Sequence, residues 1–108
     1  MPDLPDIFAA LSDRTRFAIV ERLMREGELP VARLREGLPV SAPAVSRHLN
    51  VLSEAGLVER RARGQQRLYS VRPEAMADIA HWTASHRAFW KAGLDRLEAA
   101  LNDSEDTP

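Results

Sequence analysis

The stretch Ser41–Val58, SAPAVSRHLNVLSEAGLV, constrains the chain more than any other. Ser41 is a residue type that accepts a hydrogen bond from a first helical turn. Pro43 is tolerated there because the N–H it lacks would have no intrahelical partner. Val45, Leu49 and Leu52 then recur at i, i+4, i+7, the apolar stripe of an amphipathic helix. Pro43, Arg47, Asn50 and Glu54 fall on the other side, with Ser46 beside them. Gly56 ends the helix, and Leu57 and Val58 open a strand-like run. A short helix whose outer N-terminal half is small and polar has two readings. It is an ordinary solvated surface helix, or it enters a DNA major groove, which has room for one helix.

The flanking segments frame this helix. Leu4, Ile7, Phe8 and Leu11 lie at helical spacing over residues 3–11. Ser12 is placed to cap a second helix, with Asp13 in its first turn and Phe17, Ile19, Val20, Leu23 and Met24 as its buried face. Gly27 ends it. A third, shorter helix follows at about 31–36, with Pro30 in its first turn and Leu34 and Leu38 as core contacts. A link of a few residues then reaches Ser41. Two short helices joined by a tight turn, the second with a small polar face, form a helix-turn-helix pattern. Beyond Gly56 two strands are expected, 57–62 and 66–71, separated by Arg63-Gly64-Gln65, where Gly64 supplies the positive φ of a tight hairpin. They read as a two-stranded wing. Pro73 opens a helix predicted to run unbroken to about Asn102, carrying Trp82, Phe89, Trp90, Leu94, Leu97 and Leu101. At 1.5 Å per residue it would be about 40 Å long, more than so small a domain covers with its own helices. A second copy would cover it. Residues 1–102 are thus expected to be one domain whose last helix, 73–102, dimerises, and 103–108 a disordered acidic tail.

Composition narrows the function classes. With 44% apolar and 29% charged residues, the chain reads as an ordinary globular domain. No apolar run approaches bilayer length, and MPDLPDIF lacks the pattern of a signal peptide, so a cytoplasmic protein without a membrane partner is expected. The absence of cysteine excludes disulfides and thiolate metal sites. A net charge of −1 conceals local imbalance: Arg60, Arg61, Arg63 and Arg67 crowd the hairpin, with Gln65 and Gln66 among them. Arginines so placed can neutralise phosphates, and one at the tip can enter a minor groove. Within the presented helix, Arg47 is the best base reader because its fork can bond guanine O6 and N7 together. Ser46 and Asn50 can reach bases or phosphates, Ser41 can touch phosphate besides capping, and His48 projects to the flank. Asp78, His81 and His86 have metal-ligand chemistry but poor geometry, since residues five apart are separated by about 140° around a helix. No nucleophile elbow, phosphate loop or zinc-protease motif is present, so neither an enzyme nor a cofactor is expected.

Ala10-Leu11-Ser12-Asp13-Arg14-Thr15-Arg16, Gly27-Glu28-Leu29, Ser41 to Val58 with Ser46-Arg47-His48-Leu49, and Gly64 to Tyr69 occur in an order and spacing that resemble the ArsR/SmtB family of winged-helix repressors. The resemblance covers roughly residues 5–72. It implies a mainly α fold with a small hairpin wing, ordered helix-helix-helix-helix-strand-strand-helix, and a homodimer built through the first and last helices. Leu4, Ile7, Phe8, Trp82, Phe89, Trp90, Leu94, Leu97 and Leu101 would then line the interface. It also implies operator binding on double-stranded DNA through Ser41, Ala42, Pro43, Ala44, Ser46, Arg47, His48 and Asn50 of the helix and Arg61, Arg63, Gly64, Gln65, Gln66 and Arg67 of the wing. The family's paired metal-binding cysteines correspond here to Pro30 and Ala32, and its Asp-x-His zinc pattern is broken after Asp78, so no metal site of either kind is expected. Ala42 stands where relatives often carry a base-reading glutamine. Two other readings remain at this level: a winged-helix protein-interaction module, and a sensor of a ligand or metal at the last helix. The pattern allows a small-molecule or protein effector but names none.

Overall fold

The computed structural model describes residues 3–105, in the order α1 (Leu4–Leu11), α2 (Arg14–Glu26), β1 (Leu29–Pro30), α3 (Val31–Arg35), α4 (Ala42–Glu54), β2 (Val58–Arg63), β3 (Gln66–Val71), α5 (Pro73–Ser85) and α6 (Arg87–Glu105). The chain divides into two compact units, with the boundary after Asp78. No helix among the described residues is long and apolar enough to cross a membrane.

In the first unit, α4 packs on α1, α2 and β2, and its stripe of Val45, Leu49 and Leu52 is fully buried. Ile7 and Ala10 of α1, Ile19, Val20 and Leu23 of α2, Leu34 of α3, and Leu57, Val58, Leu68 and Tyr69 complete the core. The stop after α4 is a Schellman motif: Leu57 N–H donates to the Leu52 carbonyl, Gly56 N–H to that of Ser53, and Gly56 takes φ 78°. That left-handed residue turns the chain directly into β2.

Several sequence expectations are corrected here. The wing belongs to a three-stranded antiparallel sheet, order β1-β3-β2, because Leu29 and Pro30 pair with Tyr69 and Leu68. Pro30 can occupy so short an edge strand since no ladder N–H is required of it. The hairpin strands run 58–63 and 66–71, one residue later than expected for the first. Asp13, not Ser12, caps α2, its carboxylate accepting the Arg16 backbone N–H at 2.9 Å. Phe17 and Met24 lie at the edge of the α2 apolar face and stay 49% and 58% exposed, so they are not core residues. Ile7 is completely buried in its own chain, which removes it from any subunit interface.

In the second unit, the expected single helix is broken at His86. The Ser85 hydroxyl and the His86 ring Nδ1–H both donate to the Trp82 carbonyl, each at 2.9 Å, where the backbone N–H of His86 would have bonded. That N–H turns instead to the Thr83 carbonyl. Trp82 stacks obliquely on His86 and meets Trp90 edge to face at 6.1 Å between centroids, bracing the break. The expected tail is also partly structured: Asp103–Glu105 continue α6, while residues 106–108 lie outside the described residues.

Candidate nucleic-acid interface

With one stripe of α4 sealed in the core, the helix presents its other side outward. Ser41, Pro43, Ser46, Arg47 and Asn50 are exposed, and Ala42, Ala44 and His48 are half-buried. The first turn is closed by the Ser41 hydroxyl, which accepts the Ala44 N–H at 3.3 Å. Small side chains on this turn let a backbone approach another surface closely, and Arg47 projects one turn further on.

His48 anchors the flank. Its Nδ1 lies 3.4 Å from the Arg16 guanidinium and 3.8 Å from the Asp13 carboxylate. A guanidinium can only donate, so Nδ1 is the acceptor in the contact with Arg16. Arg16 is itself fixed by donating from Nε to the Ala10 carbonyl at 2.7 Å. One half-buried cluster thus joins α1, the start of α2 and the middle of α4. The Arg16 backbone N–H holds the Asp13 carboxyl below the usual carboxylate range, against a partial burial penalty and with help from the Arg16 and His48 charges. At the other end of α2, Arg22 pairs with Glu26 at 2.8 Å and donates to the Glu36 carbonyl at 3.0 Å. That bond holds the turn leading from α3 toward α4.

The hairpin supplies the second surface. Arg63, Gly64, Gln65, Gln66 and Arg67 are all exposed at its tip. Gly64, φ 62°, is the first of two loop residues, as in a II′ turn whose twist matches the strands. Arg61 also points off the sheet, but it is engaged: its fork grips the Glu28 carboxylate through two hydrogen bonds of 2.6 Å. Asp13, expected as a first-turn charge, is the cap, and Arg16 and Glu28 are supporting residues to which sequence reasoning gave no role. Sequence carried no signal for Glu28: it precedes β1, a two-residue strand with no alternation to read, and β3 lies between β1 and the arginine-rich β2. The last-helix candidates Asp78, His81 and His86 form no ligand set; among the described residues no three His, Asp or Glu side chains gather to hold an ion.

A helix-turn-helix domain family matches residues 11–61. The chain is 48% identical over 96 residues to the HTH-type transcriptional regulator Rv2034 of Mycobacterium tuberculosis, covering 89% of this chain and 85% of that protein. It is also similar to the arsenical resistance operon repressor of Escherichia coli, at 34% identity over 90% of this chain and 80% of that one. The chain belongs to the ArsR/SmtB family. A crystal structure of an ArsR family transcriptional regulator superposes with TM-score 0.73 at 28% identity, over 82% of this chain and 96% of the other. This ArsR/SmtB member is therefore a winged helix-turn-helix, DNA-binding transcriptional regulator, with α3 and α4 as its helix-turn-helix and β2–β3 as its wing.

Proposed function

We propose that this regulator is a cytoplasmic homodimeric repressor that occupies an inverted-repeat operator and acts by binding, without catalysis. The outer face of α4, from Ser41 to Asn50, enters the major groove, with Arg47 reading a base edge. The wing tip, Arg63 to Arg67, lies on the backbone or in the adjoining minor groove. The single observation that carries this reading is the division of α4 into a sealed apolar stripe and a small, polar, exposed face beside an arginine-rich hairpin.

Dimerisation is supported by the spacing of Trp90, Leu94, Leu97 and Leu101 on α6. Steps of four, three and four make the seam of a helix pair. Leu94, Leu97 and Leu101 are 64%, 57% and 58% exposed. Trp82 and Phe89 extend the apolar surface of this unit, and on α1 Phe8 is exposed and Leu4 half-buried. A two-fold dimer presents its two helices to successive major grooves about 34 Å apart, which sets the half-site spacing. Release requires an effector, small molecule or protein, that binds another conformation better. The test is selection of duplexes from a random pool. The expected yield is an inverted repeat with half-site centres about ten base pairs apart; recovery of no symmetric sequence overturns the proposal.

A further inference from the structure

Arg61 sits among the wing arginines, yet its guanidinium is already taken. Nε donates to Oε2 of Glu28 and Nη2 to Oε1, both at 2.6 Å, a fork-on-fork pairing. The sheet register explains the meeting. Arg61 is opposite Leu68, and Leu68 is opposite Pro30, so all three share a face. Glu28 lies in the bend directly before β1, from which its carboxylate reaches Arg61. Arg63, two residues beyond Arg61, shares the face of Arg61 by strand alternation. The hydrogen bonds from Arg61, opposed by partial burial, and then the charges of Arg61 and Arg63 hold the Glu28 carboxyl below its ordinary range.

A carboxylate offers a guanidinium the same pair of acceptor oxygens as a phosphodiester. We infer that Glu28 is an internal phosphate mimic, a specificity-determining residue that occupies Arg61 and damps the field of Arg63. Phosphate contacts raise affinity for every sequence alike, whereas base contacts discriminate. Withholding one wing arginine from the backbone therefore lowers sequence-independent binding and leaves α4 a larger share of the selectivity. This inference rests on the reading of the hairpin as a DNA-contacting wing.

The experiment measures affinity for a random-sequence duplex across a salt series. The proteins are the wild type, Glu28→Gln, Arg61→Ala, the double variant, Glu59→Gln and Arg63→Ala, each checked for folding by circular dichroism. Glu28→Gln is expected to steepen the slope of log K against log salt by about 0.9 for each wing on the duplex. Extrapolated from 1 M salt, that corresponds to about fivefold tighter binding per wing at 150 mM. The double variant should lose this gain, and Arg61→Ala alone should keep the wild-type slope. A Glu28→Gln slope that is unchanged or shallower overturns the inference. So does an Arg61→Ala slope flattened by about 0.9, since Arg61 would then already bind phosphate. Equal gains from Glu59→Gln, on the same strand, reduce the effect to net charge and also overturn it. Arg63→Ala separates the two levels. If it flattens the slope while Glu28→Gln does nothing, only the role of Glu28 fails; if it too is silent, the wing reading fails with it.

Discussion

Replacing Leu49 by alanine separates the two faces of α4. Leu49 is 1% exposed and lies between Val45 and Leu52, both at 0%, on a stripe held against α1, α2 and β2. Leu→Ala at buried sites costs about 2–5 kcal/mol, rising with the cavity that remains. Neighbours fixed on three sides leave little room to collapse, which places this site near 3 kcal/mol or above. For a domain of this size each kcal/mol lowers the midpoint by about 4–8 °C, so Leu49→Ala should melt at least about 12 °C below wild type. Native domains have about 5–15 kcal/mol in hand, so the variant still folds when cold. Arg47→Ala, two residues earlier and exposed, should shift stability by less than about 0.5 kcal/mol while weakening operator binding. The assay is thermal unfolding followed by helical circular dichroism, at one protomer concentration because assembly makes the midpoint concentration-dependent. A drop under about 4 °C for Leu49→Ala, or an equal drop for Arg47→Ala, would refute the division of the helix into a core face and a free face.

The lowered pKa of Asp13 makes acid sensitivity a second expectation. A carboxylate depressed in the folded state contributes stability above its unfolded pKa, and that contribution is lost as pH falls through the lower folded value. Asp13→Asn keeps a capping side chain and removes the titration, so its urea midpoint should fall less than that of wild type between pH 5 and about pH 2. Equal falls would remove Asp13 from the acid response. Leu97→Arg places a charge in the α6 seam and is expected to convert dimer to monomer in sedimentation equilibrium, with the helical circular dichroism of the folded chain retained in the cold. An unchanged mass would contradict an interface through α6.

The amphipathic part of the fold was legible because α4 follows one period and carries its own start and stop, Ser41 and Gly56. Burial was less legible at the margins of a stripe. Phe17 and Met24 are apolar at helical spacing, yet α2 turns them outward, and Ile7 was assigned to an interface although it is sealed within the chain. The break at His86 carries no proline or glycine. It arises from side chains at 85 and 86 competing for one carbonyl, which periodicity does not register. The pairing of Leu29 and Pro30 with β3 was hidden because two residues, one of them proline, give no alternation to read. Within the candidate interface, the exposed faces followed from residue type and spacing. What sequence could not supply was the partner of each charge, such as the Glu28 carboxylate that Arg61 grips.

The central claim is that the outer face of α4 reads bases. It is tested most directly by the ratio of affinities for the selected operator and for an operator carrying a substituted guanine in each half-site, measured for wild type and Arg47→Ala. A bidentate contact predicts that wild type discriminates at one such position by about 1–3 kcal/mol per half-site and that Arg47→Ala binds both duplexes equally. Undiminished discrimination by Arg47→Ala at every guanine of the half-site would contradict the claim.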